Sequence, residues 1–148
     1  MEEALNQAKK AYSTYEVPVG AIIVYKNKII GKGYNQKESL KSSLAHAELL
    51  AIKEASQYLG GWRLEGCTMY VTLEPCPMCA GAIINSRIDR LVIGTRDPKM
   101  GCCGTVEDLT NHPKFNHRPK VEFGVLKKEC SQILKEFFYK LRKINKKG

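Results

Sequence analysis

His46-Ala47-Glu48 and, about thirty residues later, Pro75-Cys76-Pro77-Met78-Cys79 are the two stretches around which the rest of the chain is organised. Together they offer one imidazole and two thiols. Zinc takes Cys sulfur and His nitrogen in tetrahedral geometry, and three protein ligands leave a fourth position open for water. Bound zinc lowers the pKa of that water from about 15.7 towards about 7. Glu48 is the reactive group left over. A carboxylate beside such a water can take its proton and return it elsewhere, which is general acid–base catalysis.

The spacing has physical content. Cys76 and Cys79 stand at i and i+3, so on a helix they share one face. Pro75 and Pro77 suit a helix start, where a missing N–H costs little. The positive end of the helix dipole also favours thiolates there. His46 and Glu48 stand at i and i+2, about 200° apart on a regular helix. The spacing therefore suits a first helical turn in which His46 binds the metal and Glu48 reaches past it. Other readings of these residues stay open at this point. A C-x-x-C pair alone serves as a redox couple or as half of a structural zinc site. A structural site wants a fourth ligand, for which Cys67, Cys102, Cys103, Cys130, His112 and His117 are available.

A chain of 148 residues is expected to form one domain, 1–148, with a real core. Its hydrophobic content of 43% is ordinary for a globular protein. Residues 1–10 are charged and polar, unlike a signal peptide, and no apolar run approaches the ~20 residues of a membrane span. The six cysteines are therefore expected to be reduced thiols, the Cys102-Cys103 pair included, in a cytoplasmic protein with no membrane partner. A net charge of +9 suggests a polyanionic partner, with nucleic acid first. A solvated lysine-rich surface accounts for the charge equally well.

Along the chain, residues 2–15 read as an amphipathic helix with Leu5, Ala8, Tyr12 and Tyr15 at helical spacing. Residues 19–25 and 29–33 read as a hairpin turning at Lys26-Asn27-Lys28. A polar loop, 36–43, precedes a helix over 45–59 with a small-residue face of Ala47, Leu50, Ala51 and Ala55, stopped by Gly60-Gly61. A strand over 68–73 delivers Glu74-Pro75-Cys76, and the next helix runs to about Ser86. Residues 90–94 and 121–125 read as strands. The connection between them, 95–119, is long enough to be functional. The last helix is expected over 129–142, with a basic tail, 143–147, that frays. Strands alternating with helices indicate α/β layers with some parallel pairing.

H-x-E followed by P-C-x-x-C is the signature of zinc-dependent nucleobase deaminases, in which the Glu is not a ligand. The match extends well beyond it. Val17-Pro18-Val19-Gly20-Ala21, Gly33-Tyr34-Asn35, Ala45-His46-Ala47-Glu48 and Tyr70-Val71-Thr72-Leu73-Glu74-Pro75-Cys76-Pro77-Met78-Cys79-Ala80-Gly81-Ala82-Ile83 resemble the bacterial tRNA-specific adenosine deaminases of the cytidine/deoxycytidylate deaminase superfamily. So do Ser86-Arg87-Ile88, Asp97-Pro98-Lys99, Asn116-His117-Arg118, Gly124-Val125-Leu126, Glu129-Cys130 and Phe137-Phe138. The resemblance implies a three-layer α/β/α cytidine-deaminase-like fold with a five-stranded mixed sheet. It implies a homodimer whose active sites borrow residues across the interface, and conversion of the wobble adenosine in a tRNA anticodon loop to inosine, typically in an arginine tRNA.

Residue by residue, the resemblance makes His46, Cys76 and Cys79 ligands of one Zn2+ per chain and Glu48 the proton shuttle. Asn35 and Ala47 match residues at the target nucleotide. Asp97 and Lys99 match loop residues near the anticodon strand, and Phe138 and Arg142 sit where the family's last helix touches RNA. Simpler roles stand beside these. Asn35 and the Asp97-Pro98 pair suit plain turns. Phe137 and Phe138 point about 100° apart on a helix, so one is expected in the core and the other free to stack on a base. His117 reads as a structural hydrogen-bonder and Trp62 as packing. The chain departs from the family at Ser42-Ser43-Leu44, where many members have Asp-Pro-Thr, and at Cys102-Cys103, where others often carry smaller residues.

Two rival functions follow from the same residues. A small-molecule guanine or cytosine deaminase needs neither the basic charge nor the aromatic, lysine-rich segment 137–147. A zinc-stapled RNA-binding module has no use for Glu48.

Overall fold

Val and Ile favour extended backbone, and Lys26-Asn27 can take the left-handed conformation that a tight hairpin requires. In the computed structural model, which describes residues 1–147, both do so, with φ of 48° and 62°. They join β1 (Gly20–Tyr25) to β2 (Lys28–Tyr34), and the pairing carries a register shift between Ile23 and Val24. β3 (Cys67–Leu73) adds antiparallel to β1, β4 (Arg90–Thr95) adds parallel to β3, and β5 (Lys120–Phe123) closes the far edge parallel to β4. The order is β2-β1-β3-β4-β5, a five-stranded mixed sheet.

Four helices cover the two faces. α1 (Glu2–Ser13) and α4 (Lys127–Lys147) pack on one side, and α2 (Ala47–Leu59) and α3 (Pro77–Asn85) on the other. The expected three-layer α/β/α arrangement is the one observed. Its core holds Ile23, Leu64, Met69, Val71, Ile83, Ile88, Leu91 and Ile93, all fully buried. Each such side chain stabilises the fold by about 1.5–3 kcal/mol. Among the described residues, no helix is long and apolar enough to cross a membrane.

The site depends on how closely α2 lies on β2. Ala47, Ala51 and Ala55 form a flat ridge with no exposed surface, and Gly33 faces it. A Cβ on Gly33 would lie 2.1 Å from the Ala47 carbonyl oxygen, so only glycine permits this approach. The contact fixes the first turn of α2, and with it His46 and Glu48.

Several expectations need correction. The buried face of α1 is Ala4, Leu5, Gln7, Ala8 and Ala11, not a stripe through Tyr12 and Tyr15. Small residues let the helix approach β1. Tyr15 lies beyond the helix at φ 61° and is 78% exposed. On α2, Leu50 is only half-buried, because the alanine ridge already fills the interface. Trp62 does not pack inward: it is 52% exposed, with the Arg63 guanidinium 4.4 Å from its ring centre and that of Arg87 at 5.6 Å. The C-terminal tail is helical through Lys147, because Leu141 and Ile144 continue the spacing begun at Phe137. Phe137 (6% exposed) and Phe138 (40%) divide into core and surface as expected.

Glu16 ties the polar loop to the sheet. It is buried, and its carboxylate accepts hydrogen bonds from the Glu38 N–H (3.0 Å), the Ser39 N–H (2.7 Å) and the Ser39 hydroxyl (2.7 Å). Burial acts to raise its pKa, but the Ser39 and Glu38 donors outweigh it and hold the carboxyl below its ordinary 4.5. A depressed folded pKa contributes stability above about pH 4.5 that is lost as pH falls through the folded value. Glu16→Gln is therefore expected to lower stability at pH 7 by about 1–3 kcal/mol. In urea titrations, the difference from the parent should shrink below about pH 4. A difference independent of pH would show that the charge of Glu16 does not matter.

Candidate active site

A helix N-terminus presents unpaired N–H groups and partial positive charge. Two of them meet at the C-terminal end of β3. His46 occupies the N-cap position of α2 and Cys76 that of α3, both with extended backbone, and neither side chain caps its helix. Both are free to point across the gap instead. Pro77 opens α3, and Cys79 follows one turn in on its buried face. The boundary of α2 resolves the i, i+2 problem. His46 is not yet helical, so it faces the thiols while Glu48 turns inward from the first turn.

His46 Nδ1 lies 3.7 Å from Cys76 Sγ and 3.5 Å from Cys79 Sγ. Zinc bonds of about 2.3 Å to sulfur and 2.0–2.1 Å to nitrogen, at the tetrahedral angle, place N and S about 3.6 Å apart. Both His–Cys separations therefore match what a tetrahedral ion requires, and the three donor atoms all lie within 4.8 Å of one another. Among the described residues they are the one His/Cys/Asp/Glu group close enough to hold a metal. None of the six alternative fourth ligands joins them. His112 stacks on Phe115, and His117 Nε2 sits 2.6 Å from the Ile88 carbonyl oxygen, a structural hydrogen bond as expected. Burial pushes the Cys67 and Cys130 thiols up to about 11, so they remain neutral core residues.

Electrostatics favour one thiolate before any metal binds. The Cys79 thiol and the His46 ring hydrogen-bond Cys76 and hold it down at about 4, while Cys79 is pushed up by the same contact and by burial. The Cys76 thiolate, with help from Glu48, raises His46 above its ordinary value. Glu48 is 4% exposed, and burial pushes its carboxyl up to about 7, against the pull of its own N–H and of His46. A metal that displaces the thiol proton completes the set.

His46, Cys76 and Glu48 form one end of a cavity of about 340 Å3, whose walls also include Ala47, Val17 and Val19. Such a volume is at the small end of ligand pockets. Asn35 and Asp97 line it too, so the structure brings these two together with His46, Ala47, Glu48 and Cys76. Asn35 donates its side-chain N–H to the Val17 carbonyl (3.2 Å) and accepts from the Lys37 N–H (3.1 Å), so it is a turn residue and a wall residue at once. Asp97 accepts the N–H groups of Lys99 (3.0 Å) and Met100 (3.2 Å). Cys79 is buried behind the cavity. Lys99 is exposed on the Asp97 turn and is not part of the lining. Phe138 and Arg142 lie on the outer surface of α4, away from the cavity.

The structure also accounts for two family departures. The Ser42 hydroxyl accepts the Leu44 N–H (3.2 Å), the same turn an aspartate side chain would make. Cys102 and Cys103 are buried in the core, with the Cys102 N–H on the Pro75 carbonyl (2.9 Å), and so anchor the long connection to the metal-bearing segment. Sequence reasoning missed Glu16, Lys37, Glu74 and Met100. The available signal for Glu74 was an acid directly after an apolar strand.

Residues 1–142 match the MafB19-like deaminase family. The chain is 51% identical over 146 residues to the tRNA-specific adenosine deaminase of Bacillus subtilis (strain 168), covering 99% of this chain and 91% of that protein. The chain belongs to the tRNA-specific adenosine deaminases. The Aquifex aeolicus (strain VF5) family member is 49% identical over 142 residues, covering 96% of this chain and 93% of the relative. A solved structure from biochemical and structural studies of A-to-I editing by tRNA:A34 deaminases at the wobble position of transfer RNA aligns with a TM-score of 0.87. It is 41% identical and covers 90% of this chain and 97% of the other. The deaminase architecture and the His/Cys/Cys donor set are thus family features present in this chain.

Proposed function

We propose that the protein hydrolytically deaminates the wobble adenosine of a tRNA, with an arginine tRNA as the expected substrate, to give inosine. One observation carries the reading: a buried carboxylate, Glu48, stands beside a three-donor metal set at the end of a base-sized cavity. The near relatives named as tRNA deaminases support the choice of substrate. Zinc held by His46, Cys76 and Cys79 would supply an activated water for attack on C6 of adenine. Glu48 would take one proton from that water and deliver it to the adjacent ring nitrogen. It would then carry the second proton, from the oxygen newly bonded to C6, to the amine, so that the C6–N bond breaks, ammonia leaves and the C6 carbonyl of inosine remains. Asn35, Ala47 and Asp97 orient the flipped nucleotide, which leaves its stack most easily in a loop.

The protein acts as a single-domain homodimer in the cytoplasm, where six unpaired cysteines are compatible with a reducing environment. Leu49, Met78, Ala82, Ile84 and Phe115 line a broad concave surface suited to a second copy. Light scattering is expected to give a dimer at micromolar concentration; a fully active monomer would remove that part of the proposal.

The direct test incubates the protein with total tRNA and with an anticodon stem-loop, reading inosine as A-to-G in cDNA. Free adenine, guanine and cytosine are assayed in parallel. Conversion of a free base with no change in RNA would favour a small-molecule deaminase instead.

The exposed end of α4 supplies the RNA contacts outside the cavity, where Phe138 and Tyr139 stand beside Lys140, Arg142 and Lys143. Aromatic faces stack on unpaired bases, and cations release counterions from phosphate. Lys140→Ala with Arg142→Ala is expected to weaken tRNA binding. The slope of log affinity against log salt should fall by up to about 1.4, at about 0.7 per single-strand phosphate contact. Filter binding over a salt series checks it, and an unchanged slope would leave α4 as packing alone.

A further inference from the structure

The cavity is walled by two segments with no covalent reason to meet. One is the segment just after β3, which carries Cys76. The other is the connection after β4, which carries Asp97 and Met100. Glu74 joins them. Its carboxylate is 2% exposed and has no cationic partner among the described residues. Oε1 accepts the Asp97 N–H (3.2 Å) and the Thr105 hydroxyl, and Oε2 accepts the N–H groups of Cys103 (3.0 Å) and Thr105 (3.1 Å). A carboxylate has about four acceptor sites. All are filled from one loop, so Glu74 has no acceptor left for substrate.

The neighbours are built around this arrangement. Arg96 donates to the Thr105 hydroxyl oxygen (3.2 Å), which directs the hydroxyl proton to Glu74, and its guanidinium lies 3.8 Å from the Phe123 ring centre. Gly101 has no room for a side chain: a Cβ there would sit 2.5 Å from Glu74 Cδ and 2.6 Å from the Asp97 carbonyl oxygen. The Gly101 N–H closes the turn on that same Asp97 oxygen (3.1 Å). An unpaired buried carboxylate is costly unless its hydrogen bonds are complete. Here they are complete, and every one of them holds the Asp97 loop.

We propose that Glu74 is a positioning residue: it fixes the Asp97–Met100 wall against the metal-bearing segment and so sets how tightly the RNA is held, without touching the reacting atoms. This rests on the tRNA-deamination reading for its kinetic consequences but not for its structural ones.

The test uses full-length, zinc-loaded Glu74→Gln and Thr105→Val. The first keeps the shape of the side chain but turns an N–H donor towards N–H donors. The second removes one hydroxyl at an exposed position and is the safer variant for folding. Both are expected to keep the parent zinc content. KM on the anticodon stem-loop should rise about 10–100-fold in Glu74→Gln, with kcat within about threefold, as for a misplaced binding wall. In Thr105→Val the rise should be about threefold to tenfold, the worth of one hydrogen bond. Amide exchange at Asp97, Cys103 and Thr105 should quicken in both. Loss of zinc in Glu74→Gln, or a lower kcat at unchanged KM, would overturn the proposal, because Glu74 would then serve the metal segment or the chemistry. Should Glu74→Gln fail to fold, Thr105→Val decides: parent KM and parent exchange rates overturn it. A parent protein inactive on RNA would sink the tRNA reading alone, since the exchange measurement still shows whether Glu74 holds the loop.

Discussion

Glu48→Ala is expected to keep its metal and its fold and to lose turnover by at least the upper end of the range for a general acid–base group, about 10⁴-fold. The carboxylate sits beside the donor group of His46, Cys76 and Cys79, which does not include it. Removing it therefore leaves all three ligands in place. The expected loss is large because, in the proposed mechanism, the same group handles two transfers, first from water to the ring and then to the leaving amine. Ala for Glu at a buried site also removes a charge that burial disfavours, so stability should not fall with activity. The measurement pairs elemental analysis with single-turnover conversion of a stem-loop. A variant that loses its zinc as well would make Glu48 a ligand and overturn the assignment.

Removing the metal is expected to abolish activity and to loosen the junction of α2 with α3. The purified protein should carry one zinc per chain. Chelation should reduce conversion to background, and added zinc should restore it. Cys79→Ala should do the same irreversibly, because two donors cannot close a tetrahedral site. An ion held by His46 of one helix N-terminus and by Cys76 and Cys79 of the other would join the two, so binding is expected to stabilise the fold, by about 4 kcal/mol at a thousandfold excess over Kd. The melting temperature should therefore fall on chelation and recover with zinc. Active protein without stoichiometric metal would defeat this reading.

The candidate metal donors and the candidate proton shuttle are legible in residue chemistry at short range: a thiol pair at i, i+3 behind a proline, and an imidazole two residues from a carboxylate. β1, β2 and β4 follow from Val- and Ile-rich runs, and β3 and β5 from shorter apolar stretches bounded by turn residues. Local pattern determines these features because they depend on neighbours within a few residues.

The tertiary structure decided the rest, because it depends on what one segment meets when it reaches another. Nothing local shows that Glu16 or Glu74 meets its partners, yet each is buried and accepts hydrogen bonds from a loop more than twenty residues away. Ala4, Ala8 and Ala11, rather than the tyrosines, face the sheet because a helix must come close to β1, and only small side chains allow it. Trp62 stays half-exposed, with two arginine guanidinium groups beside its ring rather than a place in the core. Asn35 follows β2 and Asp97 follows β4, strands on opposite sides of the central β1–β3 pair, so they reach one cavity only through the order β2-β1-β3-β4, which no short window of sequence contains.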